Sequence, residues 1–268
     1  MSTHFNVLDL FSGAGGFTLG IEKAGMNTIA FCEKNKVLRK QLNHHWPHVK
    51  VFHDVTETDA IVRGVAGHVS AIVGGDPCPI RSRARSNGTS NHPDLSGYFL
   101  ALVGRLRPRW VVRENVPAPD DCHFTASLEL LGYRTVIVRT DAAAFTSQQR
   151  IRDFIIGAHK TAWPCLPGFI RQFDRAPGHS SKSLGSRQVV PCLTAKRNRY
   201  DSRDCYIWEP SGLRIPDGDE RTAFAGFPPG WFAGLSQAAL ARACGNAVVP
   251  AIVEKLAHAI LTAESSIQ

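Results

Sequence analysis

At 268 residues the chain can bury a full hydrophobic core in one large domain, with room for a small appendage. Apolar residues at 43% against 20% charged exclude a disordered chain. No apolar run reaches the roughly 18–20 residues that cross a bilayer, and the first residues lack the charged-then-apolar order of a signal peptide, so a cytoplasmic protein with no membrane partner is expected. A formal net charge of +8 favours a polyanionic partner. Seven cysteines, odd in number and without a C-x-x-C pair, argue against a disulfide framework and a zinc ribbon, so no metal is expected.

In chain order, residues 5–10 read as a buried strand, followed by glycines and a helix over 17–24. A second strand at 28–32 precedes a helix over 35–45, and 49–52 is a short third strand. A fourth strand at 69–73 runs into Gly74-Gly75. A helix at 95–106 leads to a fifth strand at 110–113, then come a helix near 124–131 and strands at 133–139 and 153–157. This alternation predicts an α/β fold with a doubly wound, mostly parallel, Rossmann-like sheet. Such sheets bind ligands beyond the carboxyl ends of their strands. From 158 to 218 the chain is rich in Pro, Gly, Ser and Arg, which suggests irregular structure or short antiparallel strands. The expected organisation is a catalytic domain over 1–157, a small lobe over 158–232, and a helical segment over 233–268 that returns to the catalytic domain.

The candidate functional residues fall at the strand ends. Asp9-Leu10-Phe11-Ser12-Gly13-Ala14-Gly15-Gly16 links a strand to a helix, where glycines permit a tight turn and close approach of backbone N–H groups to a ligand. A nucleotide loop and a purely structural turn both fit this segment taken alone. Glu33, about twenty residues on, stands where a carboxylate accepts from ribose hydroxyls. Asp54, past the third strand, is placed either to accept from an adenine amino group or to cap a helix. Cys78, held between Pro77 and Pro79, occupies a rigid turn after the fourth strand. Cysteine attacks as thiolate and needs a cationic neighbourhood to ionise near neutral pH. Arg81, Arg83, Arg85, Arg150 and Arg152 are candidates for that field. Glu114 ends the fifth strand in Arg113-Glu114-Asn115-Val116 and offers an acid or hydrogen-bond partner for a base. Gln148, Arg150 and Arg152 alternate on one face before the last strand, which suits a phosphate or base edge and equally a solvated edge strand.

Read together, these motifs resemble the DNA cytosine-C5 methyltransferase family. That family's signature runs Phe-x-Gly-x-Gly-Gly, an acidic ribose binder, Pro-Cys, Glu-Asn-Val, Gln-x-Arg-x-Arg and Gly-Asn-Ala/Ser-Val, and all six occur here in order. The stretch from Arg214 to Trp231 resembles the segment preceding the last motif. The likeness spans about 6–260, with 158–186 unmatched. It implies that S-adenosylmethionine is the methyl donor, double-stranded DNA the substrate, and a flipped-out cytosine the target. It also implies that Cys78 attacks C6 of that cytosine. Glu114 would hold its N3 and amino group, and Arg152, supported by Arg150, its O2. Phe11, Gly13, Gly15, Glu33, Asp54 and Asn246 would surround the donor. Ser82, the arginines at 81, 83 and 85, and Gln148 would meet the DNA, with Arg171, Arg175, Lys182, Lys196, Arg197 and Arg199 as a further group of phosphate contacts. Modification of DNA in a restriction–modification setting follows from the same likeness.

Three departures from the family pattern stand out. Pro79 follows Cys78 where many members carry glutamine, and Arg113 precedes Glu114 where leucine is usual. Only about thirty residues separate Gly157 from Arg187, where members usually devote more chain to reading sequence. That predicts a short or degenerate site, or a second subunit that completes recognition. Two further readings use the same motifs: an RNA cytosine-C5 methyltransferase, and a DNA-binding regulator without activity.

Overall fold

The computed structural model describes residues 5–65, 69–77, 94–117, 121–175, 190–193 and 205–266. The described strands are β1 (Asn6–Leu10), β2 (Asn27–Cys32), β3 (Lys50–Phe52), β4 (Ala71–Gly74), β5 (Trp110–Asn115), β6 (Tyr133–Asp141), β7 (Ile151–His159), β8 (Ile207–Glu209) and β9 (Gly212–Arg214). The α-helices are α1 (Gly16–Lys23), α2 (Lys36–His45), α3 (Thr58–Gly64), α4 (Ser96–Leu106), α5 (Asp121–Leu130), α6 (Leu166–Arg175), α7 (Gly218–Phe224), α8 (Gln237–Asn246) and α9 (Pro250–Ser265). Seven strands form one sheet in the order β3-β2-β1-β4-β5-β7-β6. The first five are parallel, and β7 runs antiparallel to both β5 and β6. The predicted α/β, mostly parallel, Rossmann-like sheet is therefore the fold.

Period-two alternation sorts each central strand between two cores. Val7, Ala71, Val73, Trp110, Val112, Phe154 and Ile156 join α1, α6 and α9 on one face. Leu8, Leu10, Ile72, Val111 and Ile155 join α3, α4 and α5 on the other. Because both faces are covered, these strands read as continuous apolar runs. Each fully buried Leu, Ile or Phe contributes roughly 1.5–3 kcal/mol.

The helix ends carry their own signals. Asn35 caps α2 by accepting from Val37 N and Leu38 N, and Asp217 with Glu220 forms a capping box on α7. Pro250 starts α9 at a position that needs no donor. The far end of α9 is tied to the sheet: Glu264 accepts two bonds from Arg109 Nη2, at 2.9 and 2.8 Å, and one from Trp110 Nε1 at 2.6 Å. Together α8 and α9 form a stretch, Gln237–Ser265, apolar and long enough by composition to cross a membrane, which the sequence reading did not anticipate. Two-thirds of its most apolar window is buried within the protein and extended residues break it at Ala247 and Val249, so these are core helices.

Two helices depart from the sequence reading. The seven-residue α3 follows β3 where no helix was expected. More consequentially, a 3-10 segment (Lys160–Cys165) and α6 follow β7 where irregular chain was predicted. Ala162, Cys165, Leu166, Phe169 and Phe173 are buried in the same core as Val7 and Trp110. Residues 160–175 thus belong to a helical layer on the sheet, beyond the expected boundary at 157. The short antiparallel strands expected in this region are present as the β8–β9 hairpin.

Candidate active site

Parallel strands bring Phe11, Glu33, Gly75 and Glu114 to one edge of the sheet. Because β7 is antiparallel, with Asn115 opposite Asp153, its first residues lie at that same edge. The order β2-β1-β4 places the chain reversal between β1 and β4, where open sheets of this kind form a crevice.

On the β1 side, the glycine-rich loop is held by the acidic residue that follows it. Glu33 Oε2 accepts from Gly13 N at 2.8 Å, and Oε1 accepts from Asn35 N at 2.6 Å. Each oxygen keeps a lone pair for a ligand hydroxyl. Burial raises the Glu33 pKa above the usual carboxylate value, against the lowering effect of those two N–H groups. Phe11 has φ +53°, rare outside glycine, and is half-buried beneath the loop. Gly15 has φ +80°, and a Cβ there would lie 2.5 Å from the Trp46 ring. Among the described residues a Cβ on Gly13 would meet only its own loop, Phe11 O at 3.7 Å, so they leave the space beside it open. Below, Asp9 is fully buried: Oδ2 accepts from Thr18 Oγ1 at 2.8 Å and Oδ1 has no partner among the described residues. Burial pushes its carboxyl up to about 7. Asp54 caps its own turn by accepting from Thr56 N, and Lys34 Nζ pairs with it at 2.9 Å, which holds its pKa low. Asn246, the last residue of α8, is exposed.

On the β5 side, Glu114 is nearly buried, and its Oε1 lies 2.9 Å from Arg152 Nε. The contact is off the N–H axis, and that oxygen accepts no hydrogen bond from the described residues. A Cβ on Gly75 would sit 3.0 Å from Glu114 Oε2, so the turn after β4 lies directly against this carboxylate. Arg150 is buried behind, with Nη1 donating to Gly245 O at 3.0 Å and to Cys192 Sγ at 3.6 Å. Its Nε has no described partner, and burial, aided by the like charge of Arg152, lowers its pKa.

The structure therefore brings Glu114, Arg150 and Arg152 together, and Gly13 with Glu33. It does not leave Gln148 facing a ligand. That amide is buried, with Nε2 donating to Phe224 O and Oε1 accepting from Leu193 N, both at 3.0 Å. That face is polar, and chain from far downstream covers it, so Gln148 serves as a brace in this structure. Cys78, Arg81, Ser82, Arg83 and Arg85 lie outside the described residues, as do Lys182, Lys196, Arg197 and Arg199. Sequence reasoning missed Asp76, whose carboxylate forms a buried pair with Arg113, and Trp231, whose Nε1 donates to Ala14 O at 3.1 Å. The glycine-rich loop thus has a backing from the distal chain.

Residues 5–207 match the family model described as C-5 cytosine-specific DNA methylase. Among curated relatives, type II methyltransferase M.AplI of Arthrospira platensis is 25% identical over 95% of this chain and 85% of its own length. Type II methyltransferase M.HgiBI of Herpetosiphon aurantiacus is 32% identical over 57% of this chain, a match spanning only 37% of that protein. The structure of a Spodoptera frugiperda DNMT2 mutant covers 97% of this chain and 100% of its own, with a TM-score of 0.74 at 16% identity, a likeness of fold.

Proposed function

The chain belongs to the C-5 cytosine-specific DNA methylase family, and from that premise we propose that it methylates C5 of a cytosine extruded from double-stranded DNA, with Cys78 as nucleophile. The observation that carries the reading is the Glu114–Arg152 pair at the carboxyl end of β5, with the turn leading into Cys78 resting against it.

C5 of cytosine is a poor nucleophile until C6 is saturated, which is why a covalent catalyst is needed. The Cys78 thiolate adds to C6, and electron density moves toward N3 and onto C5. Glu114, as the acid, donates to N3 and accepts from the amino group, stabilising the charge that develops. Arg152 takes the cytosine O2, and Arg150, anchored on Gly245 O, supports the site. After C5 is alkylated, loss of its proton and elimination of Cys78 restore the aromatic ring. The buried cysteines are poorly suited to this role: burial pushes the Cys32 and Cys244 thiols up to about 12.

Family and fold imply S-adenosylmethionine, which when bound supplies an electrophilic methyl group. The residues fit such a group: Glu33 has accepting capacity left, Gly13 faces open space, and Phe11 holds a left-handed conformation beside them. Asp54 and Asn246 complete the proposed donor site. The packed helix α6 takes up chain that recognition would otherwise use, which supports a short or degenerate DNA site, or a second subunit that adds to it. The type II relatives support a modification role in the cytoplasm.

The test is transfer of labelled methyl from the donor to duplex DNA and, in parallel, to tRNA, with bisulfite sequencing of the DNA product. Label in DNA at cytosine C5, lost in Cys78→Ser, is the expected result. Label in tRNA alone would transfer the reading to RNA, and full activity of Cys78→Ser would reject the mechanism.

A further inference from the structure

We propose that Asp76 and Arg113 act as a positioning pair that holds the Gly75–Pro77 turn in register against Glu114. The inference rests on the catalytic reading above and concerns two residues that touch neither base nor donor in it.

Arg113 lies on β5 opposite Gly74 of β4, one residue before Glu114. Its Nη2 donates to Asp76 Oδ2 at 2.8 Å, while Nε donates to the other oxygen, giving a two-pronged contact. Both side chains are at most 4% exposed. The guanidinium also lies over the Phe124 ring, 4.2 Å from its centre.

A buried ion pair is an inefficient source of stability, because desolvating both charges offsets most of their attraction, and an apolar pair often serves as well. What a planar fork adds is direction: two parallel N–H···O bonds fix the carboxylate plane relative to the guanidinium plane. Here the carboxylate belongs to the turn after β4 and the guanidinium to the strand that presents Glu114. Gly75, between β4 and Asp76, leaves so little room that a Cβ on it would lie 3.0 Å from Glu114 Oε2. A turn free to shift would move against that carboxylate, and misplacement by about 1 Å can cost on the order of 100-fold in rate.

The experiment compares kcat, KM for donor and DNA, and melting temperature in the wild-type protein, Arg113→Lys, and the double variant Asp76→Leu/Arg113→Leu, each assayed well below its own melting midpoint. Arg113→Lys keeps the charge and loses the fork. It is expected to lose about 10- to 100-fold in kcat with donor KM within about twofold. The apolar double variant is expected to melt near the wild type and to stay slow, a separation that a merely structural pair would not give. Wild-type kcat in either variant overturns the inference, as does a loss that follows the unfolded fraction. If the double variant does not fold, Arg113→Lys decides alone. A wild-type protein without transfer activity overturns the catalytic reading and this inference with it. An active wild type whose rate Arg113→Lys leaves unchanged sinks only the inference.

Discussion

Asp9 sits beneath the glycine-rich loop with one oxygen bonded to Thr18 and the other without a partner among the described residues, and burial raises its carboxyl from an ordinary 3.8 to about 7. The sign follows from proton counting. Between those values the folded protein holds a proton that the unfolded chain has lost, so stability falls as pH rises through this range. At about 1.4 kcal/mol per pH unit, a span of about three units removes roughly 4 kcal/mol by pH 8. That corresponds to roughly 10 °C in melting temperature for a chain of this size. Asp9→Asn cannot ionise. It keeps an acceptor for Thr18 and one poorly satisfied polar atom, so near pH 4, where little of the penalty has accrued, it should match the wild type within about 1 kcal/mol. At pH 8 and above it should be the more stable protein by a few kcal/mol. Thermal melts of both proteins from pH 4 to 8.5 isolate the residue and the groups coupled to it, chiefly Glu33, because titrations independent of Asp9 cancel in the difference. A flat difference curve, or a variant that is weaker at pH 8 than at pH 5, would show that Asp9 is ionised and stabilising, and the burial argument would fail.

Gly15→Ala should destabilise by roughly 2–4 kcal/mol, since a side chain there adopts φ +80° and overlaps Trp46; Gly13→Ala, at φ +56° in open space, should cost about 1 kcal/mol yet weaken donor binding. Melting curves beside donor titration separate the two, and equal losses of stability would contradict the packing described. Gln148→Ala removes two buried bonds to backbone and should cost about 2–3 kcal/mol. It should leave the salt dependence of DNA binding unchanged, whereas a phosphate contact would flatten that slope by about one. Trp231→Ala loses its bond to Ala14 and its 3.6 Å stack on His45. Calorimetric titration should find weaker donor binding, and unaltered affinity would show that the loop needs no backing.

The sheet was legible because its central strands are buried on both faces, so runs such as Trp110–Asn115 carry their assignment in their own residues. The strand-end motifs were legible for the same reason: topology alone brings Glu33 and Glu114 to one edge. What escaped depends on distant chain. In α6, Pro167 and Gly168 look like loop residues, and only the Leu166, Phe169 and Phe173 spacing hinted at a buried helical face. Gln148 reads as an edge-strand polar residue until Leu193 and Phe224 cover it. Arg113 was noticed as unusual, but its partner follows only from the β4–β5 register that sets Gly74 beside it. Local pattern predicts an element and its face; it does not say which remote segment will meet that face.

Those remote contacts share a direction. Trp231 donates to Ala14 in the donor loop, while its carbonyl accepts from Gln41 and contacts His45 Nε2 at 3.0 Å. Trp46, packed against Gly15, meets Trp231 edge-on at 5.5 Å. Arg150 donates to Gly245 at the end of α8, and Gln148 is pinned between Leu193 and Phe224. Chain beyond residue 190 therefore supports both halves of the crevice, the donor loop after β1 and the arginine-bearing start of β7. A fragment ending at His159 would keep every strand of the seven-stranded sheet and most of the motif residues. It would lose the partners that hold Ala14, Gln148 and Arg150 in place. Each of these three contacts is a hydrogen bond to or from backbone, so it depends on where the chain runs as well as on which side chain it carries. The crevice is in this sense assembled by segments far apart in the chain.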